Sequence, residues 1–197
     1  MKKLFISFIF LIYFYPSLTA QDKNKPFFYQ IPEYPKEYTA TTAVARMVDG
    51  LGFRYYWATE GLTPKDLEYK PSKDARTSLE TLEHIYGLTS IMFNTVNNKA
   101  TESPSGAAVK LNFEELRKAT LLNIQWSSEL LKEDQADLAK LPMIFKNPTK
   151  ITEYPFWNLI NGPISDALWH VGQVVSFRRG SGNPLPEGVS VLQGTKK

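Results

Sequence analysis

Gly162-Pro163-Ile164-Ser165-Asp166-Ala167-Leu168-Trp169-His170-Val171-Gly172-Gln173 runs on to Arg178-Arg179-Gly180 and carries one of only two histidines in the 197-residue chain. Read as a helix, the stretch places Asp166 and His170 four residues apart, one turn above the other on a single face. A carboxylate and an imidazole so arranged can share one metal ion. The other histidine, His84, lies in a second helix-like stretch, and the expectation is that the three side chains converge.

Working outward, the period of the apolar residues predicts three more long helices. Val44, Met47, Val48, Leu51, Tyr55 and Ala58 form a stripe at three- and four-residue spacing that should end near Glu60-Gly61. Gly50 and Gly52 weaken its interior and suggest close helix packing there. Thr77-Ser78-Leu79-Glu80 fits a capping box opening a second helix, whose face is Leu79, Leu82, Ile85, Leu88 and Met92, to about Asn94. Asn112-Phe113-Glu114-Glu115 caps a third, with Leu116, Ala119, Asn123, Trp126 and Leu130 as its stripe.

The last helix should run from Pro163 to about Arg179. Asn161-Gly162-Pro163 either kinks it or separates it from a helix opened by Pro155. Residues 133–154 are hard to read, with Leu141–Phe145 as a short extended piece. With no convincing strand framework, the expected fold is all-α, a four-helix bundle over residues 40–185. A Pro- and Tyr-rich extended arm (21–39) precedes it and an irregular tail (186–197) follows.

Met1-Lys2-Lys3, an apolar run from Leu4 to Tyr15 and a small residue at Ala20 have the plan of a secretory signal peptide. The run is short of the roughly 20 residues that span a bilayer. Cleavage after Ala20 is expected, so the mature chain is expected to be exported, periplasmic or secreted, without stable membrane insertion. The formal charge then falls from +3 to +1, 21 basic residues against 20 acidic. A nearly neutral chain without a Lys/Arg cluster gives no electrostatic case for nucleic acid. There are no cysteines, which excludes disulfides, thiolate metal sites and cysteine nucleophiles.

His84, Asp166 and His170 would leave open coordination positions on a divalent Zn, Ni or Fe ion. Glu80, one turn before His84, has two readings: a general base acting on water at such an ion, or the acid of the capping box. Gln173 lies one turn beyond His170 and could orient it through a hydrogen bond. The Glu-x-x-His spacing of di-iron bundles is absent, since position 81 is Thr and position 167 is Ala. Arg54, Arg76, Arg178 and Arg179 could anchor an anion, although arginines near helix ends more commonly serve structure. Tyr55, Tyr56, Trp57, Trp157 and Trp169 are expected mostly in the core.

The His84 stretch, Leu82-Glu83-His84-Ile85-Tyr86-Gly87-Leu88, and the signature His170-Val171-Gly172-Gln173 followed by Arg178-Arg179-x-x-Gly182-Asn183-Pro184 resemble the DinB-like (DinB/YfiT) superfamily. The resemblance covers roughly residues 40–185. It implies a four-helix bundle holding a divalent metal with three histidines, one from the second helix and two spaced by four in the last. His84 and His170 match the first and third, and Asp166 stands where the family has histidine. Members include thiol-dependent transferases and hydrolase-like enzymes, and a metal-dependent homodimer is possible in such bundles. The expectation is an exported metal-dependent hydrolase or transferase acting on a small molecule. The alternative is a non-catalytic ligand-binding or sensing module in which the polar trio is structural.

Overall fold

The computed structural model describes residues 25–102, 110–133 and 136–197. The expected signal peptide and the Ser103–Gly106 part of the loop after the second helix lie outside them. The described residues are mostly helical, with a small mixed sheet beside the helices.

Four long helices dominate: α1 (Ala40–Thr59), α3 (Ser78–Val96), α4 (Phe113–Leu131) and α6 (Ser165–Ser181). They close a ring in which α1 and α3 each pack against both α4 and α6. Both expected capping boxes form, Thr77 with Glu80 and Asn112 with Glu115. Thr39 caps α1, and a single-turn α2 (Pro64–Glu68) opens on a box between Thr63 and Asp66. The stretch before α6 is kinked. The turn α5 (Trp157–Leu159) widens through Ile160–Ile164, where Gly162 leaves helical geometry at φ −93°, ψ −106° and Pro163 has no N–H to donate. Past the kink, α6 runs to Ser181 and ends on a left-handed Gly182 at φ 96°, two residues beyond the stop expected at Gly180.

The apolar faces of α1 and α3 pack much as their periods predict, except that Met47 is 40% exposed. The face of α4 is rotated by about one residue from the expected stripe: Leu116, Thr120, Ile124, Ser127, Ser128 and Leu131 are buried, and Trp126 is exposed. The hydroxyls explain this. Thr120 and Ser127 donate to the carbonyls one turn back, at 2.8 and 2.6 Å, which makes them acceptable inside. Ser128 donates at 2.5 Å to the fully buried Asp49 of α1, whose other oxygen takes Lys132 at 2.8 Å.

The all-α expectation is corrected by five short strands. β1 (Thr101–Glu102) runs parallel to β2 (Met143–Asn147), which pairs antiparallel with β3 (Lys150–Tyr154). The β2–β3 turn is held by Asn147, whose Oδ1 accepts from the amides of Thr149 and Lys150 at 3.1 and 2.8 Å. The tail expected to be irregular contains the hairpin of β4 (Val189–Ser190) and β5 (Thr195–Lys196). β2 begins within the extended piece expected at Leu141–Phe145, and the other strands are too short to show a sustained two-residue apolar alternation.

The arm packs as expected, and its partner explains one glycine. Phe28 is buried against Gly52, where a methyl group would overlap its ring, and Trp57 Nε1 donates to the Tyr29 carbonyl at 3.2 Å. Gly52 therefore admits the arm, not a neighbouring helix. Trp157 and Trp169, expected in the core, are 75 and 72% exposed.

Candidate metal centre

His84 stands on the second turn of α3 and Asp166 on the first turn of α6, and the packing of these helices brings together residues 82 apart in the chain. Asp166 lies between the two imidazoles, one oxygen toward each. Its Oδ2 is 3.3 Å from His84 Nε2 and its Oδ1 is 3.3 Å from His170 Nε2. The rings stand nearly perpendicular, at 86°, with centroids 4.6 Å apart. One donor atom from each of the three residues falls within 4.8 Å of the others, a group compact enough to hold a metal ion.

The donor set fits a divalent cation on two grounds. First, 3.3 Å exceeds the 2.7–2.9 Å of a charge-assisted hydrogen bond. Each separation is close to the ligand–ligand distance of about 3.3 Å expected around an ion at bond lengths of about 2.0–2.1 Å. The two are made by different oxygens of the carboxylate, and the one-atom-per-residue set spans up to 4.8 Å, so closing on a single ion takes a small adjustment of the side chains. Second, Gln173 Oε1 lies 2.8 Å from His170 Nδ1 and can only accept, so the ring proton sits on Nδ1. Nε2 is then the nitrogen that faces the carboxylate oxygen, where a proton or a metal ion can lie between them, so the Gln173 contact orients the ring as a ligand without selecting the metal.

The trio is open to the surface. The side chains of His84 and Asp166 are 35 and 41% exposed, and His170 is 14% exposed. Trp169, next to His170 in α6, stands in solvent.

Three of the residues read from the sequence thus meet, and Gln173 takes the orienting position. Glu80 has a different engagement. Its carboxylate accepts the Thr77 amide at 2.7 Å while its own amide donates to Thr77 Oγ1 at 3.1 Å. Hydrogen bonds to the carboxylate from the Thr77 amide and the Thr77 side chain hold it below the usual range, which weakens it as a base. Arg178 is a clamp inside the protein. Almost fully buried, it donates from Nη1 to the carbonyls of Trp57, Ala58 and Glu60, and from Nε and Nη2 to Asn183. The last carbonyls of α1 thereby gain the partners that a helix end lacks.

The sequence reading missed the buried Asp49. The signal was an acid in the middle of an apolar helix, one turn from Arg46; its partners are Ser128 on α4 and Lys132 at the end of that helix. No protein-family model, curated protein or solved structure matches this chain.

Proposed function

We propose that this chain is an exported DinB-like four-helix-bundle protein that binds one divalent metal ion at His84, Asp166 and His170 and hydrolyses a small molecule there. The meeting of two imidazoles and one carboxylate from α3 and α6, one donor atom from each within 4.8 Å of the others, carries this reading. The four-helix ring and the His170-Val171-Gly172-Gln173 signature support the family resemblance. A divalent ion bound there supplies Lewis-acid polarisation and acidifies water near neutral pH. Two nitrogens and a carboxylate leave a net charge of about +1 on a divalent ion, suited to attracting an electron-rich substrate oxygen. His84 and Asp166 would hold the ion from two helices packed against each other, and Gln173 orients the His170 ring with Nε2 toward the site. The partial exposure of the trio supports access for water and substrate. Zn, Ni and Fe(II) all suit the ligand set.

A second reading, a non-catalytic module, rests on Asp166 already bridging both imidazoles and so tying α3 to α6. Metal analysis of purified protein separates the two. The metal reading expects about one divalent ion per chain, lost in His84→Ala and in Asp166→Ala, and a roughly 10–100-fold weaker site in Gln173→Leu. Undiminished metal content in both ligand variants would remove the site. Wild-type protein that takes up no ion, with both variants less stable, would leave the structural reading.

A further inference from the structure

Leu168 lies two residues from Asp166, roughly 200° around α6 at 3.6 residues per turn, and borders an open pocket of about 460 Å³. Four segments far apart in the chain build its walls: the N-terminal arm, α1, α6 and the β4–β5 turn. The corner is pinned where the Ile31 amide donates to the Gly194 carbonyl at 2.8 Å. Gly194 has φ 68°, and a side chain there would collide with Ile31, so the turn requires glycine.

Two properties of this pocket coincide. Its rim gathers exposed apolar side chains: Tyr34 at 73%, Met47 at 40%, Val191 at 51% and Leu192 at 93% exposure. Such a cluster of wet apolar groups is unusual unless it is a contact surface. Its polar lining is one-signed as well, with Arg46 and Arg54 present and no acid. Arg46 is largely engaged. It donates to the Pro32 carbonyl at 2.7 Å, stacks 4.4 Å over the Tyr34 ring and lies 3.9 Å from Asp49. Arg54 is not. Its one hydrogen bond goes to the Gly50 carbonyl of its own helix at 3.0 Å, and among the described residues no carboxylate lies within ion-pair distance of it. Most of its five donors remain for a ligand.

We propose that this pocket binds a small amphipathic carboxylate, with its head on the planar fork of Arg54 and its apolar body along Tyr34, Met47 and Leu192. A guanidinium pairs a carboxylate bidentately, and the volume falls in the range of small-molecule sites. The site lies on another side of α6 from the His84 trio and does not depend on the metal reading.

Calorimetric titration of the full chain with decanoate tests this, with decanol and decyltrimethylammonium as comparators. Decanoate should saturate at about one molecule per chain and bind about tenfold or more tightly than either comparator, the worth of a charged hydrogen-bonded pair. Arg54→Gln should reduce decanoate affinity about tenfold. Leu192→Asp, at a fully wetted position, should weaken it without lowering the melting temperature. Equal affinity for decanol, undiminished binding in Arg54→Gln, or absence of saturation would each overturn the proposal. So would binding to phosphatidylglycerol vesicles without binding to free decanoate, which would assign the patch to a lipid surface.

Discussion

At the scale of single residues, one polar group can be read as chemistry or as structure, and its partners decide. Glu80 shows this. Spacing places it one turn before His84, suitable for a base, yet its carboxylate closes the capping box of α3. Glu80→Gln preserves an oxygen for the Thr77 amide and should leave metal content and melting temperature close to those of the parent. Thermal melts and metal analysis of the variant check this. Loss of hydrolysis with metal content intact would return Glu80 to a catalytic role. Gln173 is the opposite case, a residue of ordinary type whose one hydrogen bond sets which nitrogen of His170 is free.

At the scale of elements, α1 carries two glycines with different jobs. A methyl group added at Gly50 would meet only the tip of the Arg54 side chain, at 3.1 Å, and that side chain can move. Gly50→Ala should therefore gain up to about 1 kcal/mol from helix propensity. Gly52 is covered by the Phe28 ring. Gly52→Ala would gain the same propensity but expel a buried aromatic side chain worth about 1.5–3 kcal/mol, so the loss wins by roughly 0.5–2 kcal/mol. The paired variants should shift the melting temperature in opposite directions. Gly52→Ala alone should speed limited proteolysis of the arm. Equal behaviour of the two would show that the arm contributes little. The kink at Gly162-Pro163 is a second case in which an element is interrupted for position, since it sets where the first turn of α6, and with it Asp166, meets α3.

For the whole molecule, the Asp66 network ties distant segments together. Asp66 accepts from the Thr63 amide and hydroxyl at 2.8 and 2.7 Å, from Asn183 at 2.8 Å and from Ser181. Asn183 in turn accepts from Arg178, which caps α1. Burial pushes the Asp66 carboxyl up, but the hydrogen bonds from Ser181, Asn183 and Thr63 outweigh it and hold the group far below the usual range. A depressed folded pKa contributes stability that is present above the unfolded value of about 3.9 and is lost as pH falls through the folded value. Melting temperature should be nearly flat from about pH 7 to 5 and fall below about pH 4. Asp66→Asn should cost roughly 2–3 kcal/mol at pH 7 and make the acid limb shallower. An unchanged acid limb would place the acid sensitivity elsewhere.

What could be read from the sequence was what is decided within about four residues along the chain. The long helices, the capping boxes at Thr77 and Asn112 and the shared face of Asp166 and His170 obey such local rules. Of the small sheet only the extended piece at Leu141–Phe145, which overlaps β2, could be read, because strands of two to five residues have no sustained period and β1 exists through pairing with a distant partner. Nor could the face of α4 be read from apolarity, since Ser127, Ser128 and Thr120 are buried by hydrogen bonds that hydropathy does not register. Local order along the chain thus accounts for the helices and for the choice of three candidate ligands. The convergence of His84 with Asp166 is expected from the sequence, but its geometry, the inward turn of Arg178, the outward turn of Trp169 and the place of Arg54 in a pocket wall came only with the packed molecule. Each depends on how helices far apart in the chain pack and on which polar groups they leave to be satisfied.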